Sequence, residues 1–231
     1  QARGQCEGLT IPNAALAITG NATTANTAGT GPQFMTLFPA DATRPLVANS
    51  NYLPGQVMNA PFTVGLSTAG SFKIYPTSQT DLVVDVLGYY STEATDVNGT
   101  GLLFNPLPKP VRLLETRAGF SGCFATGTPL LSGSTRTQTA RGVCDGATIT
   151  TNALGLVGNA TVVNATGANG NFLTFWPSDA TQPTVATSNF AAGQVFNRHF
   201  TVGLGASDGA FKIFTQFQTD LVIDVSGFFA P

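Results

Sequence analysis

Apolar residues alternate with other residue types in two similar stretches of the chain. In 82–90 a set of apolar residues with one glycine occupies every second position, and 221–229 repeats this arrangement. Side chains of a β-strand point alternately to opposite faces, so each set predicts a strand with one face turned to a core. The two sets are Leu82, Val84, Val86, Gly88 and Tyr90, then Leu221, Ile223, Val225, Gly227 and Phe229.

The two stretches close a longer internal repeat. Residues 140–142 repeat the Ala-Arg-Gly of 2–4, residues 158–161 repeat the Gly-Asn-Ala-Thr of 20–23, and residues 200–204 repeat the Phe-Thr-Val-Gly-Leu of 62–66. A repeat of this length predicts two structural modules, with cores at 2–90 and 140–229. We therefore predict a first domain at 1–90, a linker at 91–101 and a second, complete domain at 102–231. The opening segment 102–139 has no counterpart before residue 2.

Short strands separated by turn residues are expected in each core. Further strands are predicted near 16–23, 34–38, 46–52, 62–66 and 72–74, and no window shows the apolar spacing of a long helix. Roughly six or seven short strands per core suit an antiparallel two-sheet sandwich. The predicted fold class is all-β, with two tandem antiparallel β-sandwich domains that are Ig-like or jelly-roll-like.

Two motifs resemble a known family. Residues 112–117 read Arg-Leu-Leu-Glu-Thr-Arg, and the strand motif Thr-Asp-Leu-Val-Val/Ile-Asp-Val-x-Gly occurs at 80–88 and 219–227, each time followed by two aromatic residues. These motifs resemble tandem repeats in large secreted bacterial surface proteins, whose opening motif carries Asp where this chain has Glu115. The resemblance implies an extracellular location, a tandem arrangement and no catalysis.

The three cysteines are distributed unevenly over the repeat. Cys6 and Cys144 are equivalent, and Cys123 lies in the single opening segment. We expect a disulfide between Cys123 and Cys144, which needs an oxidising compartment. The partner of Cys6 would belong to an opening segment that was cut away or that a neighbouring chain supplies. A buried free thiol is the alternative.

Composition excludes several function classes. The net charge is −2, with three Lys and seven scattered Arg, so no basic patch could neutralise the phosphates of a nucleic acid. No apolar run is long enough for membrane insertion. With one His and no Cys-x-x-Cys the chain shows no metal-ligand pattern, and we expect no metal site and no cofactor.

Several polar residues are candidate sites. Sequons at Asn21, Asn98, Asn159 and Asn164 are possible glycosylation positions, and alternation places Asn21 and Asn159 on an accessible face. Structural roles are expected for two pairs of carboxylates, because four residues of strand separate each pair by about 13 Å, too far to share a cation. Asp81 and Asp220 would cap turns, Asp85 would pair with Arg3 and Asp224 with Arg141.

Catalysis is not expected. His199 is the sole histidine, and Pro61 takes its place in the first repeat. Trp176, with Phe38 in the matching place, would be core aromatics or would stack on a sugar ring. The function expected is that of an extracellular structural protein: a tandem repeat of a cell-surface protein or a filament subunit. Its expected partners are other copies of itself, joined end to end by segment complementation between chains. The alternative is an adhesin or carbohydrate-binding module with glycans as partners.

Overall fold

The structure consists of strands and their connections. This computed structural model describes residues 1–93, 95–96, 99–167 and 170–231, with only the backbone of residues 96 and 100. Every regular element in those ranges is a strand, which confirms the all-β prediction. The described residues include no helix that could cross a membrane. The chain divides into two compact units, Gln1–Gly101 (unit 1) and Leu102–Pro231 (unit 2).

Unit 1 holds ten strands in chain order. Two three-stranded sheets, β6-β3-β8 and β5-β4-β7, accompany two short hairpins, β1-β2 and β9-β10. The strands are β1 (Gly4–Cys6), β2 (Leu9–Ile11), β3 (Ala15–Ala25), β4 (Gln33–Pro39), β5 (Ser50–Tyr52), β6 (Met58–Gly65), β7 (Phe72–Pro76), β8 (Asp81–Ser91), β9 (Thr95–Asp96) and β10 (Gly99–Thr100).

Unit 2 repeats the first eight strands of unit 1, shows no counterpart of the hairpin β9-β10 among its described residues, and adds three strands before them. Its sheets are β12-β11-β21-β16-β19 and β13-β20-β17-β18, with a hairpin β14-β15. The strands are β11 (Leu103–Glu115), β12 (Phe124–Ala125), β13 (Thr135–Thr139), β14 (Gly142–Cys144), β15 (Ala147–Ile149), β16 (Gly155–Val163), β17 (Asn171–Pro177), β18 (Ser188–Phe190), β19 (Phe196–Gly203), β20 (Ala210–Thr215) and β21 (Asp220–Ala230).

Both sheets of a unit contribute to one core. In unit 2 the ring of Phe175 on β17 meets the ring of Phe200 on β19 edge to face, with centroids 5.2 Å apart. In unit 1 Met35 on β4 belongs to the same buried cluster as Ile18 and Phe62 on β3 and β6. The apolar positions of the sheets thus turn towards each other, which removes them from water and stabilises each unit.

A β-bulge shifts the alternation in the closing strand of each unit. Between β3 and β8 the register moves at Gly20, which leaves Leu87 as the extra residue. Beyond the bulge Tyr89 packs on the core while Tyr90 is 48% exposed. The prediction that Tyr90 faces the core is therefore wrong, because an extra residue inverts the faces of the residues that follow.

Two other boundaries differ from the predicted ones. The predicted strand at 46–52 begins only at Ser50, and the residues from Leu46 to Asn49 form no strand. The segment predicted as a linker, 91–101, begins with the last residue of β8 and contains the hairpin β9-β10 within unit 1.

Candidate functional site

A single segment supplies strands to one edge of both sheets in unit 2. We call residues 102–139 the strap. Its first strand, β11, pairs with the closing strand β21, its last strand, β13, pairs with β20, and β12 lies parallel to the end of β11. All other strand pairings in the described ranges are antiparallel. The strap therefore closes an edge of each sheet.

The strap contributes apolar residues to the core of unit 2. Val111, Leu113 and Leu114 are almost completely buried in the core cluster. Near the start of β11 the ring of Phe104 lies 5.6 Å from that of Phe229, and a Cβ atom added at Gly227 would overlap the Phe104 ring. The absence of a side chain at Gly227 thus provides the place where the Phe104 ring rests.

Arg112 fixes the register of the strap against β21. Its Nε donates to Asp224 Oδ1 at 3.0 Å and its Nη2 to Asp224 Oδ2 at 3.4 Å. The two residues face each other across the pairing of β11 and β21. A two-point contact of this kind restricts the sliding of one strand along the other more than a single hydrogen bond does.

Glu115 is fully buried at the end of β11 and is bound by two arginines. It accepts hydrogen bonds from the Arg117 backbone N–H at 3.0 Å, Nε at 2.9 Å and Nη2 at 2.7 Å, and from Arg112 Nη1 at 3.3 Å. The hydrogen bond from the Arg117 side chain is the main cause that lowers the pKa of Glu115, against the opposing effect of burial. The carboxylate is therefore ionised near neutral pH.

Thr116 connects the strap to the start of β21. Its hydroxyl donates to Asp220 Oδ1 at 3.0 Å and accepts the Leu221 backbone N–H at 2.7 Å. Asp220 also accepts a hydrogen bond from Asn164, which has a positive φ of 54°. In unit 1 Asp81 accepts the equivalent hydrogen bond from Asn26, with φ of 49°. Both carboxylates thus support a turn residue in the left-handed region.

A disulfide attaches the strap to the hairpin β14-β15. Cys123 is bonded to Cys144, with Cα atoms 5.6 Å apart, the pair that repeat comparison predicts. The strap strand β11 also contacts both strands of this hairpin. Cys144 is 4% exposed, and Cys6, its equivalent in unit 1, is exposed and free.

The equivalent edge of unit 1 is uncovered. Strand β8 pairs with β3, and on its other side it pairs with no strand of the described residues. Val83 is 54% exposed where its equivalent Val222 is 3% exposed, and Val86 is 42% exposed where Val225 is completely buried. Since the residue type is the same within each pair, the difference reflects the strap and not the sequence of the strand.

The second sheet and the hairpin of unit 1 show the same difference. Phe72 and Ile74 on β7 are half-buried, whereas Phe211 and Ile213 on β20 are fully buried. On the hairpin, Leu9 is 73% exposed and its equivalent, Ala147, only 3%. The uncovered surface of unit 1 therefore comprises β8, β7 and the hairpin β1-β2, and we call it the open edge.

The predicted arginine partners of the carboxylates are wrong for unit 2. Arg141 donates to the backbone carbonyls of Ala153 and Ala206, and Asp224 binds Arg112 of the strap. Arg3 makes the corresponding bonds in unit 1, to the carbonyls of Ala15 and Thr68. Both arginines bind backbone carbonyls, so they are committed elsewhere than predicted.

The four sequons differ in accessibility. Asn21 is 3% exposed, between Pro61 and Asp85 on the neighbouring strands, so the prediction that it is accessible is wrong. Asn159 is exposed on β16. Asn164 is exposed, and its amide nitrogen donates to Asp220 at 2.9 Å. Asn98 lies outside the described residues.

The aromatic and basic candidates offer little to a ligand. Trp176 is 4% exposed and donates to the Ala180 carbonyl at 3.2 Å, and Phe38 is 7% exposed, so neither ring is available to a sugar. His199 lies on an exposed position of β19, across from Asn159. Among the described residues, no group of three or more His, Cys, Asp and Glu could hold a metal ion.

A shallow cavity lies on unit 1 beside β4. Its volume is about 300 Å³, and the Arg44 guanidinium stacks on the Tyr75 ring at 3.9 Å beside it. The lining is mostly apolar and consists of Phe34, Arg44, Pro45, Leu46, Val47 and Ala48.

Comparison with protein-family models, curated proteins and solved structures yields no match to this chain.

Proposed function

We propose that the chain is an extracellular structural protein, formed by two tandem antiparallel β-sandwich domains of the Ig-like or jelly-roll-like kind. It serves as a repeat of a cell-surface protein or as a filament subunit. The motifs that resemble tandem repeats of secreted bacterial surface proteins support this role. The disulfide between Cys123 and Cys144 fits an oxidising extracellular environment.

The observation that carries the proposal is the open edge of unit 1. A long sheet edge that pairs with no further described strand and exposes apolar side chains is a template for another chain. Each chain has one strap and two units of the same plan. A strap that passes from one chain to unit 1 of the next joins the chains head to tail, and such contacts form filaments when they do not close into rings.

The test refolds the chain from the reduced, unfolded state, in which the strap can bind either unit. Refolding with reoxidation at rising protein concentration is expected to give a ladder of disulfide-linked species and linear particles by electron microscopy. A Cys6→Ser variant, refolded in parallel, should lose the covalent ladder. Monomers at every concentration would contradict the proposed assembly.

The second candidate is a carbohydrate-binding or adhesin module. It is favoured by the cavity of unit 1, whose lining includes Arg44, the residue that stacks on the Tyr75 ring. Glycan-array binding that is lost in Arg44→Ala and Tyr75→Ala variants, with no assembly of the wild-type chain, would favour this candidate over the structural one.

A further inference from the structure

We propose that the open edge of unit 1 is a specific receptor for the strap of a second copy, bound in the register seen in unit 2 and locked by a disulfide between Cys6 and the incoming Cys123. The proposal rests on the proposed function, whose chain-to-chain contact it defines residue by residue. It follows from equivalence of the two units, because unit 2 shows the same kind of edge with its strap in place.

The backbone register can be transferred from unit 2. In unit 2, Phe104 pairs with Phe229 and Arg112 with Asp224. The equivalent partners on β8 are Tyr90 and Asp85, so an incoming strap places its aromatic residue beside Tyr90 and its arginine beside a carboxylate. At the other sheet, Gln138 pairs with Phe211, whose equivalent on β7 is Phe72.

Gly88 leaves space for the aromatic ring of the incoming strap. In unit 2 the Phe104 ring occupies the space where a side chain at Gly227 would lie. At the equivalent Gly88, an added Cβ atom would meet only Thr19 Cγ2, at 3.8 Å, which is ordinary van der Waals contact. The space that the aromatic ring would occupy is therefore empty in unit 1. A larger side chain at position 88 would block the ring without disturbing unit 1.

The thiol lies where the strap must cross. Cys6 belongs to the hairpin β1-β2, whose equivalent in unit 2 is contacted by β11 and bonded to Cys123. The thiolate of Cys6 attacks the exposed Cys123 sulfur of a second copy, the Cys123–Cys144 bond breaks, and Cys144 leaves as a thiolate that takes up a proton. One disulfide forms as one breaks, so no oxidant is consumed.

This exchange keeps the number of completed units constant. The strap completes unit 1 of the acceptor with the same kinds of interaction that it gives up in unit 2 of the donor. The equilibrium therefore depends on protein concentration, as in domain swapping. The docking step itself can be isolated with a strap that is not held by any unit.

The experiment mixes the full chain with a synthetic peptide of residues 102–139 whose cysteine carries a 2-thiopyridyl disulfide. Attack by Cys6 on the peptide sulfur releases 2-thiopyridone, which is followed by absorbance, and peptide mapping by mass spectrometry locates the new bond. Docking raises the effective thiol concentration to the millimolar range, so at micromolar peptide the release should be about a hundredfold faster than with a scrambled peptide carrying the same cysteine.

Variants identify the surface that accelerates the reaction. Gly88→Val should slow release at least about tenfold, the effect of losing one well-fitted contact. Leu53→Ala, which changes an exposed apolar residue outside the open edge, should react as the wild type does. Cys6→Ser should release nothing and still bind the peptide non-covalently. Circular dichroism of each variant verifies that unit 1 is folded.

The outcomes separate this inference from the proposed function. Equal rates with the strap and scrambled peptides overturn the inference, as does a dimer formed through β8 of two copies that the peptide cannot displace. If refolded chains assemble while the peptide fails to dock, only the inference fails. If the peptide docks while refolded chains stay monomeric, the docking site stands and the proposed assembly fails.

Discussion

Replacement of Glu115 by Gln tests whether the strap is held by its buried carboxylate. The carboxylate is fully buried and accepts three hydrogen bonds from Arg117 and one from Arg112. An amide keeps the shape but removes the charge and turns an NH₂ group towards guanidinium donors. Because the side chains of Arg112 and Arg117 are 39% and 23% exposed, they can recover water. The expected loss of stability is therefore at the low end for a broken buried pair, about 3 kcal/mol.

The chain provides a separate optical probe for each unit. Its single tryptophan, Trp176, is buried in unit 2, and all four tyrosines, at positions 52, 75, 89 and 90, lie in unit 1. With a urea m-value of about 1.5 kcal/mol/M, the tryptophan transition of Glu115→Gln should shift down by about 2 M urea, and the tyrosine transition should not move. Glu93→Gln, the same change at an exposed residue of unit 1, is the matched control.

Two results would refute this reasoning. A loss below about 1 kcal/mol, the range of exposed ion pairs, would mean that the carboxylate does not hold the strap in solution. An equal loss in the tyrosine transition would mean that the units unfold together and that the effect is not confined to unit 2.

Three further predictions use the same probes. The pKa of Glu115 is lowered from its ordinary 4.5, so its contribution is present above about pH 4.5 and lost as the pH falls through the folded value; the tryptophan transition should weaken on acidification below about pH 4.5, and less so in Glu115→Gln. Val222→Ala should cost unit 2 about 2–3 kcal/mol, while Val83→Ala, at 54% exposure, should cost unit 1 less than about 1; equal losses in urea titrations would argue that the edges are equally covered. Gly158→Ala should destabilise unit 2 by about 3 kcal/mol or more, because its Cβ would overlap the backbone of β21, whereas Gly88→Ala should change the melting temperature of unit 1 little; a tolerated Gly158→Ala would contradict the bulge geometry.

Comparison of the repeats predicts much of the architecture. The repeat places two cores and one strap, and the count of cysteines in equivalent positions leads to Cys123 and Cys144, which the structure joins. Alternation correctly identifies Leu221, Ile223 and Val225 as fully buried. These features follow from residues close in sequence or equivalent between repeats, which a single chain displays directly.

Alternation fails where the backbone departs from regular strand. The bulge at Leu87 depends on the close approach of Gly20 to the carbonyl of Asp85, which no periodicity of β8 reveals. The partner of Asp224 is likewise hidden, because Arg112 is 112 residues away and Arg141, nearer in sequence, binds backbone carbonyls. Such contacts depend on which strands lie next to each other in the sheet, and the pattern of a single strand does not reveal its neighbours.

The residues of β8 indicate whether its exposed apolar side chains are ordinary surface residues or a contact surface. Single exposed apolar residues are normal on protein surfaces, so Val83 or Val86 alone would require no explanation. Natural sheets, however, protect their edges with short strands, Pro or Lys, and β8 is an eleven-residue strand that contains neither residue. It also keeps the valines that β21 buries beneath its strap. Its bulge at Leu87 does not prevent pairing, because β21 has a bulge at the equivalent place and still pairs with the strap. A strand that keeps the residues for contact and lacks both Pro and Lys supports the proposal that the strap of a second copy binds here, as the strap of unit 2 binds β21.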